Sequence, residues 1–191
     1  MNVVLQEGHI DVFNFIGVKM KKTRKIAFCS MAAALIVSFF FLTSFLNITA
    51  SIAGVCGIVV YLVNLMFGFK YSFLVYLISS IISLVISPSK SAVILYIIFF
   101  GIYSIIYVLL NFIKNKILKN FIKVSVLVVF SIILNVIYSF AFELFKTQNK
   151  ILFLGSTAIF LLLTFSYNLT LIYFKVYYNN ILKNKFKKFF S

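Results

Sequence analysis

From Lys21 onward the sequence alternates long apolar runs with short clusters of Lys and Arg, and this alternation constrains the fold most strongly. Each run is about as long as the ~17–25 residues that a helix needs to cross about 30 Å of hydrocarbon. The runs are continuous and lack the apolar–polar alternation of a membrane β-barrel. The sequence therefore predicts an all-α, polytopic membrane protein with a single six-helix transmembrane domain over 20–191. The predicted spans are 26–46, 52–68, 71–87, 92–113, 124–145 and 151–174.

Charge predicts the orientation of these spans. The chain has 18 Lys and Arg residues against three Asp and Glu. With the N-terminus in the cytoplasm, only Lys90, Lys146 and Lys150 fall on the outer side, and the other fifteen (18 less 3) fall inside. The positive-inside rule then predicts that both termini are cytoplasmic. In a soluble protein a net charge of +15 would suggest nucleic acid. Here the clusters flank apolar runs, so we expect contact with anionic lipid and no nucleic-acid partner.

Residues 1–19 differ from the rest of the chain. They contain two of the three acidic residues and the single His, without a convincing period. Codons that can encode residues 16–20 contain a sequence resembling a ribosome-binding site just before Met20. We therefore expect 1–19 to be a disordered or non-native tail, with Met20 as the hypothesised start.

Three smaller features concern the connections and the thiols. Only Phe69-Lys70 separates the second and third spans, which predicts a tight hairpin. The lone Pro88 lies between spans three and four, where it ends a helix without breaking one. Cys29 and Cys56 both lie inside apolar runs and fit no metal spacing, so we expect buried free thiols.

Signatures of an enzyme are missing from the sequence. It contains no HExxH, GxSxG or P-loop motif, and no paired carboxylates within a span. We therefore predict that the protein is not an enzyme and needs no cofactor or metal.

Polar residues form stripes along the apolar spans. In the fifth span Ser131, Asn135, Ser139 and Glu143 recur every fourth residue and therefore share one helical face. Such stripes are most often packing faces, because small residues let helices approach closely. The stripes in the other spans comprise Gly54, Gly57, Tyr61, Asn64 and Gly68 in span two; Ser72, Tyr76, Ser79, Ser80, Ser83 and Ser87 in span three; Tyr96, Tyr103, Tyr107 and Asn111 in span four; and Thr164, Tyr167 and Asn168 in span six.

Glu143 has two interpretations. It lies near the outer end of its span, where Lys146 at i+3 can pair with it at the interface. Alternatively it faces a substrate, since an acidic residue within a membrane span is a functional hypothesis by default. Asn135 lies mid-span, where an amide needs a partner or a cavity. The candidate substrate-binding residues are Asn135, Tyr138, Ser139, Glu143, Lys146 and Lys90.

The first span carries small residues at helical spacing. Ser30, Ala34 and Ser38 recur at i+4, and this pattern suits close packing against another membrane helix. Together with the Ala-rich run KIAFCSMAAALIV, six short helices and basic termini, it resembles the substrate-binding S-components of energy-coupling factor (ECF) vitamin transporters. The resemblance implies docking of these three residues onto a transmembrane coupling protein, with separate ATPase subunits supplying energy. The family's Ala-xxx-Ala pattern appears here as Ser-xxx-Ala.

A second resemblance covers residues 61–107. This segment is similar to uncharacterised small membrane proteins of Gram-positive anaerobes, and it brings no known activity. Those proteins often carry Pro and Lys where this chain has Ser104 and Tyr107. The matching positions are Gly68, Pro88, Lys90, Tyr96, Phe99, Phe100, Gly101 and Tyr103.

Together these features predict a substrate-binding subunit of an ECF-type importer in the cytoplasmic membrane of a bacterium. Its ligand would be a small molecule such as a vitamin, bound from the outer side. The alternative is a non-transport interaction or assembly protein, such as a complex subunit, an immunity factor or an envelope-biogenesis factor. In that case the stripes would be helix–helix contacts and Glu143 an interfacial anchor.

Overall fold

The computed structural model describes residues 22–43, 48–110, 113, 115–141 and 150–182. Within these ranges six helices are long and apolar enough to cross a membrane, and no strand occurs. The predicted all-α six-helix bundle is thus confirmed. The proposed tail at 1–19 lies outside the described residues. The helices are α1 (Lys22–Leu42), α2 (Thr49–Phe67), α3 (Phe69–Ile86), α4 (Lys90–Leu110), α5 (Lys116–Ala141) and α6 (Lys150–Tyr177).

Helices α2 and α4 form the centre of the bundle. They are the most buried spans, at 56% and 61%, whereas α5 and α6 are buried over only 22% and 17%. Helices α1 and α3 pack against each other and against α2, on one side of the centre. Helices α5 and α6 pair with each other and meet the centre mainly through α4. The outward apolar side chains of α5 and α6 are therefore the bundle's largest lipid-facing surface.

Short connections join α3 to its neighbours α2 and α4. Gly68 alone separates α2 from α3. Phe69 and Lys70, which were predicted to form the turn, already belong to α3. Its φ of 89° lies in the left-handed region, which glycine adopts without steric cost. At the other end Pro88 lies between α3 and α4, as predicted.

The last two helices are longer than a bilayer requires. Helix α5 has 26 residues and α6 has 28, or about 39 and 42 Å at about 1.5 Å per residue. Hydrocarbon is only about 30 Å thick, so their ends extend beyond it. Helix α5 begins at Lys116 and not at 124 as predicted, because lysine is a good helix former and the cluster continues the helix into the cytoplasmic interface.

Two expectations about buried residues are confirmed. Cys29 and Cys56 are both buried and free. The stripe of α3 faces inward, as a packing face requires: Ser72, Tyr76, Ser79, Ser80, Ser83 and Ser87 are all buried.

The orientation is testable with introduced cysteines. Ser91 and Lys70 are both exposed, at opposite ends of α3 and α4. We expect Ser91→Cys to react with a membrane-impermeant maleimide in intact cells, and Lys70→Cys to react only after permeabilisation. The unchanged protein is the blank, because its own thiols are buried. The reverse labelling pattern would show that the positive-inside assignment is wrong.

Candidate functional site

The structure places part of the predicted ligand-binding stripe inside the bundle. Ser131 and Asn135 on α5 are both about 1% exposed, on the side of α5 that faces its neighbours. Tyr138 and Ser139 continue the same helix, and their side chains lie outside what is described. Glu143 and Lys146 lie outside the described residues. The structure therefore brings Asn135 inward, and the outer half of the site remains a prediction.

Lys90 is placed in detail. It is exposed at the outer start of α4, and its Nζ donates hydrogen bonds to the carbonyl oxygens of Leu84 and Val85, near the end of α3. Carbonyl groups in the last turn of a helix carry partial negative charge that an ammonium group stabilises. Lys90 thus caps α3 and links it to α4. If Lys90 also binds a ligand, as predicted, the same ammonium group serves both purposes.

The predicted docking residues lie on the face of α1 that points away from the bundle. Ser30, Ala34 and Ser38 are all exposed, whereas Ala33 and Ile36 point into the core. The two serine hydroxyls donate to carbonyl groups of their own helix, at 3.1 Å and 2.9 Å. The serine hydroxyl groups of this face are therefore hydrogen-bonded within α1. Small side chains at these three positions would let a second helix approach closely.

A π-helical turn interrupts α4 at mid-membrane, over Tyr96–Gly101. Such a turn shifts the hydrogen-bond ladder by one residue, and it occurs frequently at functional sites. Two of its carbonyl oxygens accept bonds from side chains. The Ile97 oxygen accepts from the Tyr76 hydroxyl at 2.8 Å, and the Phe100 oxygen accepts from Ser104 Oγ at 2.7 Å.

Ser104 is the centre of a buried polar cluster that joins three helices. Its Oγ lies 2.9 Å from the Gly57 carbonyl oxygen on α2 and 2.6 Å from the Tyr167 hydroxyl on α6. The Tyr167 hydroxyl also lies 3.3 Å from the Phe100 carbonyl oxygen. Two hydroxyl groups and two backbone carbonyl groups thus form one hydrogen-bonded cluster.

Two further hydroxyl bonds extend this polar layer. The Tyr96 hydroxyl lies 2.9 Å from Ser79 Oγ on α3, and the Tyr103 hydroxyl donates to Asn168 Oδ1 on α6 at 2.9 Å. Helices α2, α3, α4 and α6 are therefore joined by hydrogen bonds within the apolar bundle. The sequence placed Tyr96, Tyr103 and Asn168 in stripes without ranking them as a site, because periodicity shows a shared face and not the neighbour that it meets. Ser104 belonged to none of the predicted stripes.

Two cations lie over aromatic rings at the end of the bundle that is predicted to be cytoplasmic. Lys123 Nζ lies 4.4 Å from the centroid of the Tyr107 ring, and Lys25 Nζ lies 5.9 Å from that of Tyr71. None of the described ranges contains an Asp or Glu residue. Anionic lipid headgroups are the natural counter-charge for this basic end.

Within the described ranges, no group of three or more His, Cys, Asp or Glu side chains is arranged to hold a metal ion.

The fold and these contacts define the class: a multi-pass α-helical membrane protein with a hydrogen-bonded polar layer at mid-membrane. Comparison with family models, curated proteins and solved structures finds no significant match.

Proposed function

We propose that the protein is the substrate-binding membrane subunit of an ECF-type importer for a small molecule, in the cytoplasmic membrane of a bacterium. The observation that supports this proposal best is the outward orientation of Ser30, Ala34 and Ser38 on α1. If these residues served packing within the chain, they would face α2 or α3. Instead that interior is filled by other residues of α1, namely Cys29, Ala32, Ala33, Ile36 and Phe40, which are all buried.

The exposed face has the chemistry of a helix-docking surface. Lipid tails are as apolar as leucine side chains, so helices associate in a bilayer through close van der Waals contact. Small residues one turn apart allow that contact. An exposed stripe of small residues along a membrane helix therefore fits a transmembrane partner, here a coupling protein whose ATPase subunits supply the energy.

The substrate site of this proposal lies towards the outer side of α5. Asn135 is buried at mid-span, and its stripe continues outward through Ser139 to Glu143. Tyr138 and the cations Lys146 and Lys90 would complete it. In this arrangement Glu143 recognises an amine or hydroxyl group of the ligand, and Asn135 forms the floor of the pocket.

The docking surface can be tested by adding bulk to α1. We expect Ala34→Leu combined with Ser38→Leu to reduce co-purification of a coupling protein and two ATPase subunits by at least tenfold from native membranes. Leucine at both positions would hold the partner helix away from the α1 backbone. The measurement is quantitative mass spectrometry of the tagged protein purified in mild detergent.

Ser166→Leu on α6 is the matched control. Ser166 is exposed in the same way, and its Oγ donates to the carbonyl oxygen four residues earlier at 2.8 Å. This variant should retain its partners. Recovery of a different membrane complex, or of the protein alone, would contradict the proposal and favour the non-transport interaction protein.

A further inference from the structure

Two polar side chains in the cytoplasmic half of α2 are buried without hydrogen-bond partners. Tyr61 is 0% exposed and Asn64 is 2% exposed. In the part of the chain that the structure describes, neither the Tyr61 hydroxyl nor either polar atom of the Asn64 amide has a partner. Buried polar groups are nearly always paired, and leaving them unpaired costs free energy. Three such atoms within one helical turn therefore require an explanation.

Both side chains face the junction of α2, α4 and α6. Gly57, Tyr61 and Asn64 are spaced at i, i+4 and i+7 and therefore share one face of α2. That face meets α4 and α6: the Tyr61 ring centroid lies 5.6 Å from that of Tyr107 on α4 and 6.1 Å from that of Phe174 on α6. The Tyr61 ring thus packs against aromatic rings of α4 and α6.

At the same junction, one turn deeper in the membrane, polar groups do have hydrogen-bond partners. There Ser104 and Tyr167 bond to each other and to the Gly57 and Phe100 carbonyl groups. The junction can therefore pair hydroxyl groups where the chain supplies partners. At Tyr61 and Asn64 the described residues supply none, which is the arrangement expected of a site that an external molecule completes.

We propose that Tyr61 and Asn64 form an interior binding site for a small, neutral, planar molecule that presents a hydrogen-bond donor and an acceptor side by side, as a cyclic amide does. The Asn64 side chain offers one acceptor and two donor hydrogens in a plane, which match such an edge in a pair of hydrogen bonds. The Tyr61 hydroxyl supplies a third bond. The site lies in the cytoplasmic half, apart from the outer pocket around Asn135, and it does not depend on docking through α1.

The first measurement is the thermal unfolding midpoint of the purified protein in detergent, with and without uracil. Uracil is planar and presents N–H and C=O groups side by side; dimethyluracil has a similar shape without the N–H donors. We expect uracil to raise the midpoint by several degrees at saturation, since a ligand that binds only the folded state stabilises it. Dimethyluracil should leave the midpoint unchanged. An equal response to both compounds, or no response to uracil, would overturn the proposal.

Variants of the site add an independent readout. Asn64→Leu should raise the midpoint of the ligand-free protein, because it removes an unpaired buried amide, and it should abolish the response to uracil. Tyr61→Phe should weaken uracil binding about five- to tenfold, the equivalent of one hydrogen bond.

The matched control for Asn64→Leu is Asn168→Leu. Asn168 accepts a hydrogen bond from Tyr103, so this variant should lower the midpoint and retain the response to uracil. If Asn64→Leu instead lowers the midpoint as Asn168→Leu does, the Asn64 amide has a structural partner and the proposed site is wrong. All these measurements use the single purified chain, so their failure is distinguishable from failure of the docking proposal.

Discussion

Replacing Gly57 with alanine is expected to destabilise the bundle by about 1–3 kcal/mol, the cost of forcing extra volume into a packed core. A Cβ atom at this position would lie 2.3 Å from the Tyr167 hydroxyl oxygen and 2.8 Å from the Phe100 carbonyl oxygen. The carbonyl belongs to the π-helical turn of α4, and the hydroxyl is held by Ser104. Neither atom moves without disturbing the polar cluster. Equilibrium unfolding in mixed detergent and dodecyl sulfate measures the change.

The control is Gly155→Ala on α6. Nothing lies within 4 Å of a Cβ built there, and alanine favours a helix over glycine by up to about 1 kcal/mol. Gly155→Ala should therefore be neutral or slightly stabilising. If Gly57→Ala behaves in the same way, α2 and α4 do not approach as closely as the structure shows.

A double variant identifies the conflicting atom. Tyr167→Phe removes the hydroxyl nearest to the added methyl group, so it should restore part of the stability lost in Gly57→Ala. The Phe100 carbonyl oxygen remains, and the recovery should be incomplete. Because the two residues are in contact, their effects should not be additive. Strict additivity would show that the Tyr167 hydroxyl is not what excludes a side chain at Gly57.

The fold was predictable because a bilayer imposes simple requirements on a chain. Length and continuous hydrophobicity identify a membrane helix without knowledge of its neighbours, and basic clusters mark the ends. The least accurate boundary was the start of α5, where Lys116, Lys119 and Lys123 led us to begin the span at 124, whereas the helix begins at Lys116. Hydropathy detects the edge of the hydrocarbon, whereas the helix continues beyond it.

The π-helical turn in α4 was not predictable, because it depends on tertiary contacts. A Cβ atom at Gly101 would lie 2.5 Å from the Tyr76 ring, so glycine is what lets α3 approach this turn. The Tyr76 hydroxyl then bonds to the Ile97 carbonyl oxygen at 2.8 Å. No local pattern in the sequence encodes that pairing across two helices.

Asn64 on α2 and Asn135 on α5 differ in a property that the spacing of polar residues does not reveal. Asn135 drew attention because it lies mid-span, where an amide needs a partner or a cavity, and it is buried in the structure. Asn64 belongs to a stripe of the same kind, and its spacing gave no reason to rank it higher. What distinguishes it is an unpaired amide, a property of the surrounding helices that no periodicity contains.

Phe99→Ala is expected to cost on the order of 2 kcal/mol of stability. Phe99 is fully buried, and its ring centroid lies 5.4 Å from that of Tyr103, 5.7 Å from that of Phe130 on α5 and 5.7 Å from that of Tyr167 on α6. In a soluble protein a Phe→Ala change in the core costs about 3–5 kcal/mol, part of which is lost transfer from water. Unfolded helices stay in an apolar solvent within a membrane, so mainly the packing loss remains.

The matched control is Phe165→Ala on α6. Phe165 is 56% exposed towards lipid, and its replacement should change stability by less than about 0.5 kcal/mol. Equal effects of the two variants would contradict a central packing role for Phe99.

Which helices Phe99→Ala destabilises is a sharper test than the total loss of stability. Phe99 joins α4 to α5 and α6, while α3 reaches α4 through Tyr76 and Ser79. Amide hydrogen exchange in Phe99→Ala should therefore accelerate in α5 and α6 and stay unchanged in α3. Since Asn135 lies on α5, such loosening would also weaken a ligand site there without altering any residue that contacts the ligand. Uniform acceleration across all helices would instead show that the bundle unfolds as one unit, with no separable α5–α6 hairpin.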